Sequence, residues 1–137
     1  MRYYAVIDTN VIVSAMLKWD SVPGQVVRLV FENRIVPLLH SDIVEEYQKV
    51  LLRPKFHLPE QIVDNFLMDI EEHGIYIDAE PLDIELPDSK DRIFYEIAMS
   101  TRRSNEAWLV TGNLRHFPVQ SFIVSPRQML EVIEQNL

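Results

Sequence analysis

The 137-residue chain has no cysteine. That rules out thiol nucleophiles, disulfides and thiolate metal sites, and leaves any metal to carboxylates, amides, imidazoles and water. Hard, oxygen-liking cations suit such a donor set. Nowhere do about 18 uninterrupted apolar residues occur, the length a membrane-spanning helix requires. No charged leader or apolar targeting segment precedes the first strand pattern, so the expectation is a cytoplasmic protein that does not enter a membrane. Repeats, linkers and low-complexity tracts are also missing, and the length fits one domain over 1–137 that can bury a core without cross-links. Basic charge is scarce: 13 Lys and Arg against 21 Asp and Glu leave a net charge of −8. This argues against non-specific attraction to nucleic acid, which depends on Lys and Arg neutralising phosphates. It does not exclude a nuclease, because carboxylates that hold divalent cations make a site locally cationic once it is loaded. An acidic surface also suits a basic protein partner.

What is present is an alternation of strand and helix patterns. Residues 3–7 read as a strand and 9–17 as a helix; Pro23 heads a second helix running to Phe31, and Ile35 to Leu38 form a second strand. Ser41 is the expected N-cap of a helix over 42–52, with Asp42 in its positive first turn. Arg53-Pro54 closes that helix, since proline disfavours helical geometry in the residue before it. A further amphipathic helix spans 60–73 and ends at Gly74, the expected C′ residue. Ile75 to Ile77 is a strand candidate, 81–87 an extended loop, 89–102 a helix, 107–110 a buried strand and 121–124 another. Ser125-Pro126 opens a last helix ending near Gln135. Strands alternating with helices predict an α/β architecture with a mainly parallel sheet covered on both faces.

Acidic residues stand at informative places in this pattern. Asp8 directly follows the first strand, where open α/β sheets place their chemistry; capping the next helix is its other reading. In the helix from Asp42, the spacing of Ile43, Tyr47, Val50 and Leu51 marks the buried face. Glu46 falls at the edge of that face, whereas Glu45 falls opposite it and can pair with Lys49 at i,i+4. A carboxylate edging into a core needs a cation, a hydrogen bond or a shifted pKa. Asp88 is explained as an N-cap, and Asp91 lies on the same helical face as Phe94 and Ala98. Thr111, Gly112 and Asn113 follow the buried strand 107–110 and offer a hydroxyl, a close-approach position and an amide oxygen, although such a turn has an ordinary explanation too. Strand ends and helix faces converging in this way form a nest of carboxylates. Like charges gathered there raise one another's pKa unless a cation intervenes. Mg²⁺ or Mn²⁺ fits, since Mg²⁺ takes one or two carboxylates and keeps waters that phosphate oxygens can replace. The chemistry suggested is phosphodiester hydrolysis.

With Asp8-Thr9-Asn10, Glu46-Tyr47, Asp88 to Asp91 and Thr111-Gly112-Asn113 in this order, the chain resembles a PIN-domain protein, and more closely the toxin branch of prokaryotic toxin–antitoxin pairs. The resemblance covers essentially the whole chain. It implies a three-layer α/β/α sandwich and a metal-dependent ribonuclease, with a homodimer and an antitoxin as partners. It places metal ligands on Asp8, Glu46 and Asp91, with Asn113 completing the set and Asp88 as a further donor. Asn10 and Ser14 match the polar positions that support the site, and Thr111 the hydroxyl before the last acid. That last acid is Asp in many members and Asn113 here. The change weakens a second metal more than the first, and leaves open a catalytically weakened scaffold that binds RNA or a protein. An aspartyl-phosphate phosphatase is a third reading of Asp8, but such enzymes resemble Asp-x-Asp where this chain has Asp8-Thr9-Asn10. Cationic candidates for an RNA backbone are Arg53, Lys55, Arg92 and Arg115, with Arg102-Arg103 read as a helix-end pair. His116, near the mouth of the site, is read as a surface loop residue, with contact to phosphate or proton shuttling as its other reading, and Trp19 as a base-stacking or partner residue.

Overall fold

A computed structural model describes residues 2–136. Its first strand, β1 (Tyr3–Ile7), enters α1 (Thr9–Leu17) and α2 (Val22–Phe31) before β2 (Ile35–Leu39). Helices α3 (Ser41–Leu51) and α4 (Glu60–His73) lead to the short β3 (Ile75–Tyr76). Then come α5 (Arg92–Arg102), β4 (Ala107–Val110), β5 (Ile123–Val124) and α6 (Pro126–Gln135). The sheet order is β3-β2-β1-β4-β5 and every pairing is parallel. The predicted α/β/α sandwich is therefore the observed fold.

That order fixes where chemistry can occur. From β1 the chain moves outward through β2 to β3, then returns by α5 to lay β4 on the other side of β1. Right-handed crossovers put α5 on the face opposite the helices that join β1, β2 and β3. Loops leaving the carboxyl ends of β1 and β4 thus diverge, and the crevice between them is the usual ligand position of an open α/β sheet. Asp8 follows β1, and Thr111 follows β4. Parallel strands covered on both faces need apolar side chains on both sides; Ala5, Val6 and Ile7 of β1 and Leu109 and Val110 of β4 are accordingly buried.

Local chemistry moved several boundaries. Helix α3 begins at Ser41, and its cap is His40, whose Nδ1 accepts the Asp42 N–H at 3.1 Å. Gly74 follows α4 with φ −105°, so it uses no left-handed freedom. Its value is space: a Cβ there would stand 2.7 Å from the Pro37 carbonyl oxygen and from Leu39 Cδ1. The helix expected over 89–102 starts with a 3₁₀ turn, Ser89–Asp91, capped by Asp88 Oδ1 on the Lys90 N–H at 3.0 Å. At the other end of the chain the expected cap of α6 forms in full, as Ser125 and Gln128 exchange side-chain and backbone hydrogen bonds.

Residues 77–87 are an extended strap without regular partners. Ile77, Leu82, Ile84 and Leu86 pack toward the core while Asp78, Glu80, Asp83 and Glu85 face solvent. Buried Glu96 of α5 accepts the Leu82 N–H at 2.7 Å, and Arg92 donates to the Leu82 carbonyl and pairs with Glu96 at 3.5 Å. Glu80 is held by Arg103 at 2.6 Å.

Candidate active site

Asp8 is set by β1, whose backbone continues into the sheet through its N–H on the Val110 carbonyl at 2.8 Å. The residue is buried, and two neutral donors converge on one oxygen. The Thr111 hydroxyl donates to Asp8 Oδ2 at 2.7 Å and the Asn10 side-chain amide at 3.1 Å. Asn10 also accepts the Gly112 N–H at 2.9 Å, so it ties the loop after β1 to the loop after β4. A Cβ on Gly112 would lie 3.0 Å from that same Asn10 oxygen, which explains the glycine by close approach. Thr111 Oγ1 in turn accepts the Asn113 N–H at 2.9 Å.

Glu46 reaches the same region from α3 and accepts a hydrogen bond from the Thr9 hydroxyl. Beneath it the fully buried Tyr47 donates its hydroxyl to the Ile7 carbonyl, fixing α3 against the end of β1. Burial, followed by the nearby Asp8 and Glu46 charges, raises the Tyr47 pKa well above the ordinary tyrosine value, so it serves as a neutral donor. Asp91, at the junction of the 3₁₀ turn and α5, is largely buried, with His116 Nδ1 3.0 Å from Oδ2.

The electrostatics follow from this arrangement. Burial pushes the Asp8 carboxyl up to about 6. The Thr111 hydroxyl and the Thr9 N–H pull it down, while Asp91 and Glu46 push it up. Asp91 is likewise raised, first by burial and then by Asp88 and Glu46, against the hydrogen bond and charge of His116. These carboxylates therefore sense one another without a cationic side chain that offsets them all.

One cavity of about 590 Å³ collects the sequence candidates Asp8, Asn10, Ser14, Glu46, Asp88, Asp91 and Asn113. Arg53 lines it as well, whereas Lys55, Arg92, Thr111 and Arg115 do not. Thr111 is fully buried and acts on Asp8 from below. Arg92 is committed to Glu96 and the strap, an outcome the sequence could not reveal because Leu82 is distant along the chain. Arg102 similarly donates to the Ala107 carbonyl at 2.6 Å and covers Phe122. Glu45 and Lys49 both line the cavity, and no Glu45–Lys49 ion pair forms.

Sequence reasoning missed three participants. His116, read first as a surface loop residue and second as a contact for phosphate or a proton, touches Asp91, a partner the sequence did not indicate. Thr9 serves Glu46, a role its place beside Asp8 did not indicate. Lys90 joins the cavity lining from the turn between Asp88 and Asp91.

Among the described residues no three His, Asp or Glu side chains stand close enough to form a ready-made metal cluster. Glu46 accepts from Thr9, and Asp91 contacts His116. The donors nonetheless fit Mg²⁺ or Mn²⁺ chemically. They are hard carboxylate oxygens, two of them on residues whose burial works against ionisation, and Mg²⁺ asks for one or two such ligands plus water.

A family model described as PIN domain matches residues 4–115, from β1 to the turn that carries His116's neighbour Arg115. An uncharacterized protein of Methanocaldococcus jannaschii is 40% identical over 55 residues, a stretch covering 40% of this chain and 36% of that relative.

Proposed function

The chain belongs to the PIN-domain family, a group generally of metal-dependent nucleases and commonly ribonucleases, and we propose that it is an Mg²⁺- or Mn²⁺-dependent endoribonuclease. The carrying observation is that Asp8, Glu46 and Asp91, from three separate elements, line one cavity at the carboxyl edge of the sheet. Asp8 and Asp91 would hold the cation, with Glu46 as the third acid and Asn113 and Asp88 as weaker donors. When bound, such an ion supplies an activated water and neutralises charge on the phosphate.

The remaining work falls to this chain's own side chains. Thr111 and Asn10 orient Asp8 through its Oδ2 and so present it in a single rotamer. Thr9 does the same for Glu46. His116 holds Asp91 and, being at the cavity wall, restricts how that carboxylate turns. Ser14 supports the site from the first turns of α1. Arg53 at the cavity supplies positive charge for an RNA backbone, and Lys55 and Arg115 adjoin the lining residues Phe56 and His116 along the chain. Arg92, a candidate by sequence, is assigned to the strap instead. The toxin role, an antitoxin partner and a homodimer are read from the family resemblance, and the acidic surface suits a basic partner.

Incubating mixed-sequence single-stranded RNA with the protein in Mn²⁺, Mg²⁺ or EDTA tests the reading. Cleavage that needs metal and is lost in Asp8→Asn and Asp91→Asn is expected. A folded wild type that neither cuts nor is stabilised by metal would overturn it in favour of a binding scaffold, the second reading that Asn113 supports.

A further inference from the structure

The cavity holding the acids extends along the C-terminal end of α3, where Lys49, Arg53 and Phe56 complete its wall. On the ribonuclease reading of the same site, we propose that Phe56, flanked by Arg53 and Lys55, is a base-stacking subsite for an unpaired RNA nucleotide beside the scissile phosphate.

The cavity has the size of sites that accept nucleotide-sized ligands, larger than a metal ion with its waters requires. Its acidic end repels a polyanion unless cations act there, so affinity must come from another part of the wall. Lys49 and Arg53 provide charge: among the described residues neither belongs to an ion pair, whereas Arg92 and Arg103 do. Phe56 provides the flat apolar surface. It is half-buried, packed in part against the core while it also lines the cavity. Lys55 Nζ lies over the ring, 5.1 Å from its centroid, so a base that stacks on that face takes the place of the ammonium and leaves it to the adjoining phosphate.

The backbone holds this ring in a defined place. Pro54 opens a 3₁₀ turn, Pro54–Phe56, in which the Phe56 N–H bonds to the Arg53 carbonyl at 3.0 Å and the His57 N–H to the Pro54 carbonyl at 3.1 Å. His57 then closes the turn at φ 53°, a left-handed conformation uncommon outside glycine. A rigid aromatic on a pinned turn loses little conformational freedom when it binds. Stacking on such a ring requires a base that is not paired, because RNA duplexes bury their base faces. The substrate implied is therefore a single-stranded segment, with the nucleotide on Phe56 adjoining the phosphate at Asp8 and Asp91.

The test uses the full chain carrying Asp8→Asn, so that bound RNA stays intact, and a fluorescent unstructured ten-nucleotide RNA as the probe. Binding is measured by anisotropy for Phe56, Phe56→Leu and Phe56→Trp, the leucine chosen to keep the apolar packing. Since base stacking on an aromatic contributes about 1–3 kcal/mol, Phe56→Leu should weaken binding roughly tenfold and Phe56→Trp should retain it. One abasic position in the probe should erase the difference, and the same sequence as a duplex should bind without sensitivity to residue 56. Equal Kd for Phe56 and Phe56→Leu in folded proteins, or equal sensitivity with the duplex, overturns the subsite. RNA cutting by the wild type with Phe56-independent binding removes the subsite alone. Phe56-dependent binding by a wild type that never cuts supports the subsite and removes the nuclease reading.

Discussion

Replacing Asp8 by asparagine is expected to stabilise the metal-free protein at neutral pH while abolishing any metal-dependent activity. Asp8 is 4% exposed, and burial raises its carboxyl from 3.8 to about 6. The direction of the linkage follows from proton counts. Below pH 3.8 the group is protonated in both the folded and unfolded chain. Between about 4 and 6 the unfolded chain releases its proton while the folded one retains it, so stability falls as pH rises, then levels off above about 6. At about 1.36 kcal/mol per pH unit separating the two pKa values, the loss is on the order of 3 kcal/mol.

Asparagine removes the charge and keeps an oxygen for the hydrogen bonds from Thr111 and Asn10, both of which land on Oδ2 of the aspartate. The advantage of Asp8→Asn should therefore be small near pH 4 and grow to about 3 kcal/mol at pH 7. For a domain of this size that is roughly 10 °C in Tm. Urea and thermal unfolding in EDTA across pH 4 to 8 measure it, the difference between the two proteins being the relevant quantity because Asp91 titrates in both. Saturating Mn²⁺ should narrow or reverse the gap by stabilising only the wild type. A variant less stable than wild type at pH 7, or two pH profiles that run parallel, would refute the account of Asp8 as a strained buried charge.

Thr111→Val should cost about 2 kcal/mol at pH 7, since a hydrogen bond to a buried carboxylate is lost, and should raise the Asp8 pKa further; equilibrium unfolding and NMR titration of the carboxyl read both. Glu96→Ala leaves the Leu82 N–H without its acceptor and Arg92 without its partner, so the Leu82 amide should exchange hydrogen at least tenfold faster with little change at Val110. Asn113→Asp should tighten Mn²⁺ binding severalfold by calorimetry, because it adds a charge to the cavity wall; unchanged affinity would place Asn113 outside the cation's reach.

Fold and site differed in how far the sequence revealed them. Apolar runs at 3–7 and 107–110 can only be buried strands, and Ser125-Pro126 with Gln128 spells a capping box, so these elements appear where pattern places them. β5 is shorter than expected because its paired register with β4 starts at Ile123, with Phe122 contributing only its carbonyl, which accepts the Leu109 N–H at 2.9 Å. At the site, Asp8, Glu46 and Asp91 were visible because strand ends and helix faces have fixed directions. Contacts between distant segments were not. Asn10 on Gly112, Thr9 on Glu46 and His116 on Asp91 join residues 102, 37 and 25 positions apart, and no local periodicity encodes them. Arg92 shows the same limit from the other side: its charge suggested RNA, but its neighbour in space is a loop ten residues upstream.

The way the acids are held bears on why a cation should enter at all. Cationic side chains could have neutralised Asp8 and Glu46 directly, as in ordinary buried ion pairs. Hydroxyl and amide groups do the orienting instead, from Thr111, Asn10 and Thr9. Neutral donors fix geometry yet leave most of the charge uncompensated, which is why Asp8 remains raised despite two side-chain hydrogen bonds. That residual charge is a driving force for cation binding: whatever neutralises it recovers the free energy that burial cost. His116 compensates Asp91 in part, first through its hydrogen bond and then through its charge, so the half of the site nearest Asp91 depends on that residue more than the half around Asp8 does. Asn113, with no charge of its own, adds nothing to this drive, and a first cation at Asp8 should gain far more than a second one beside Asn113.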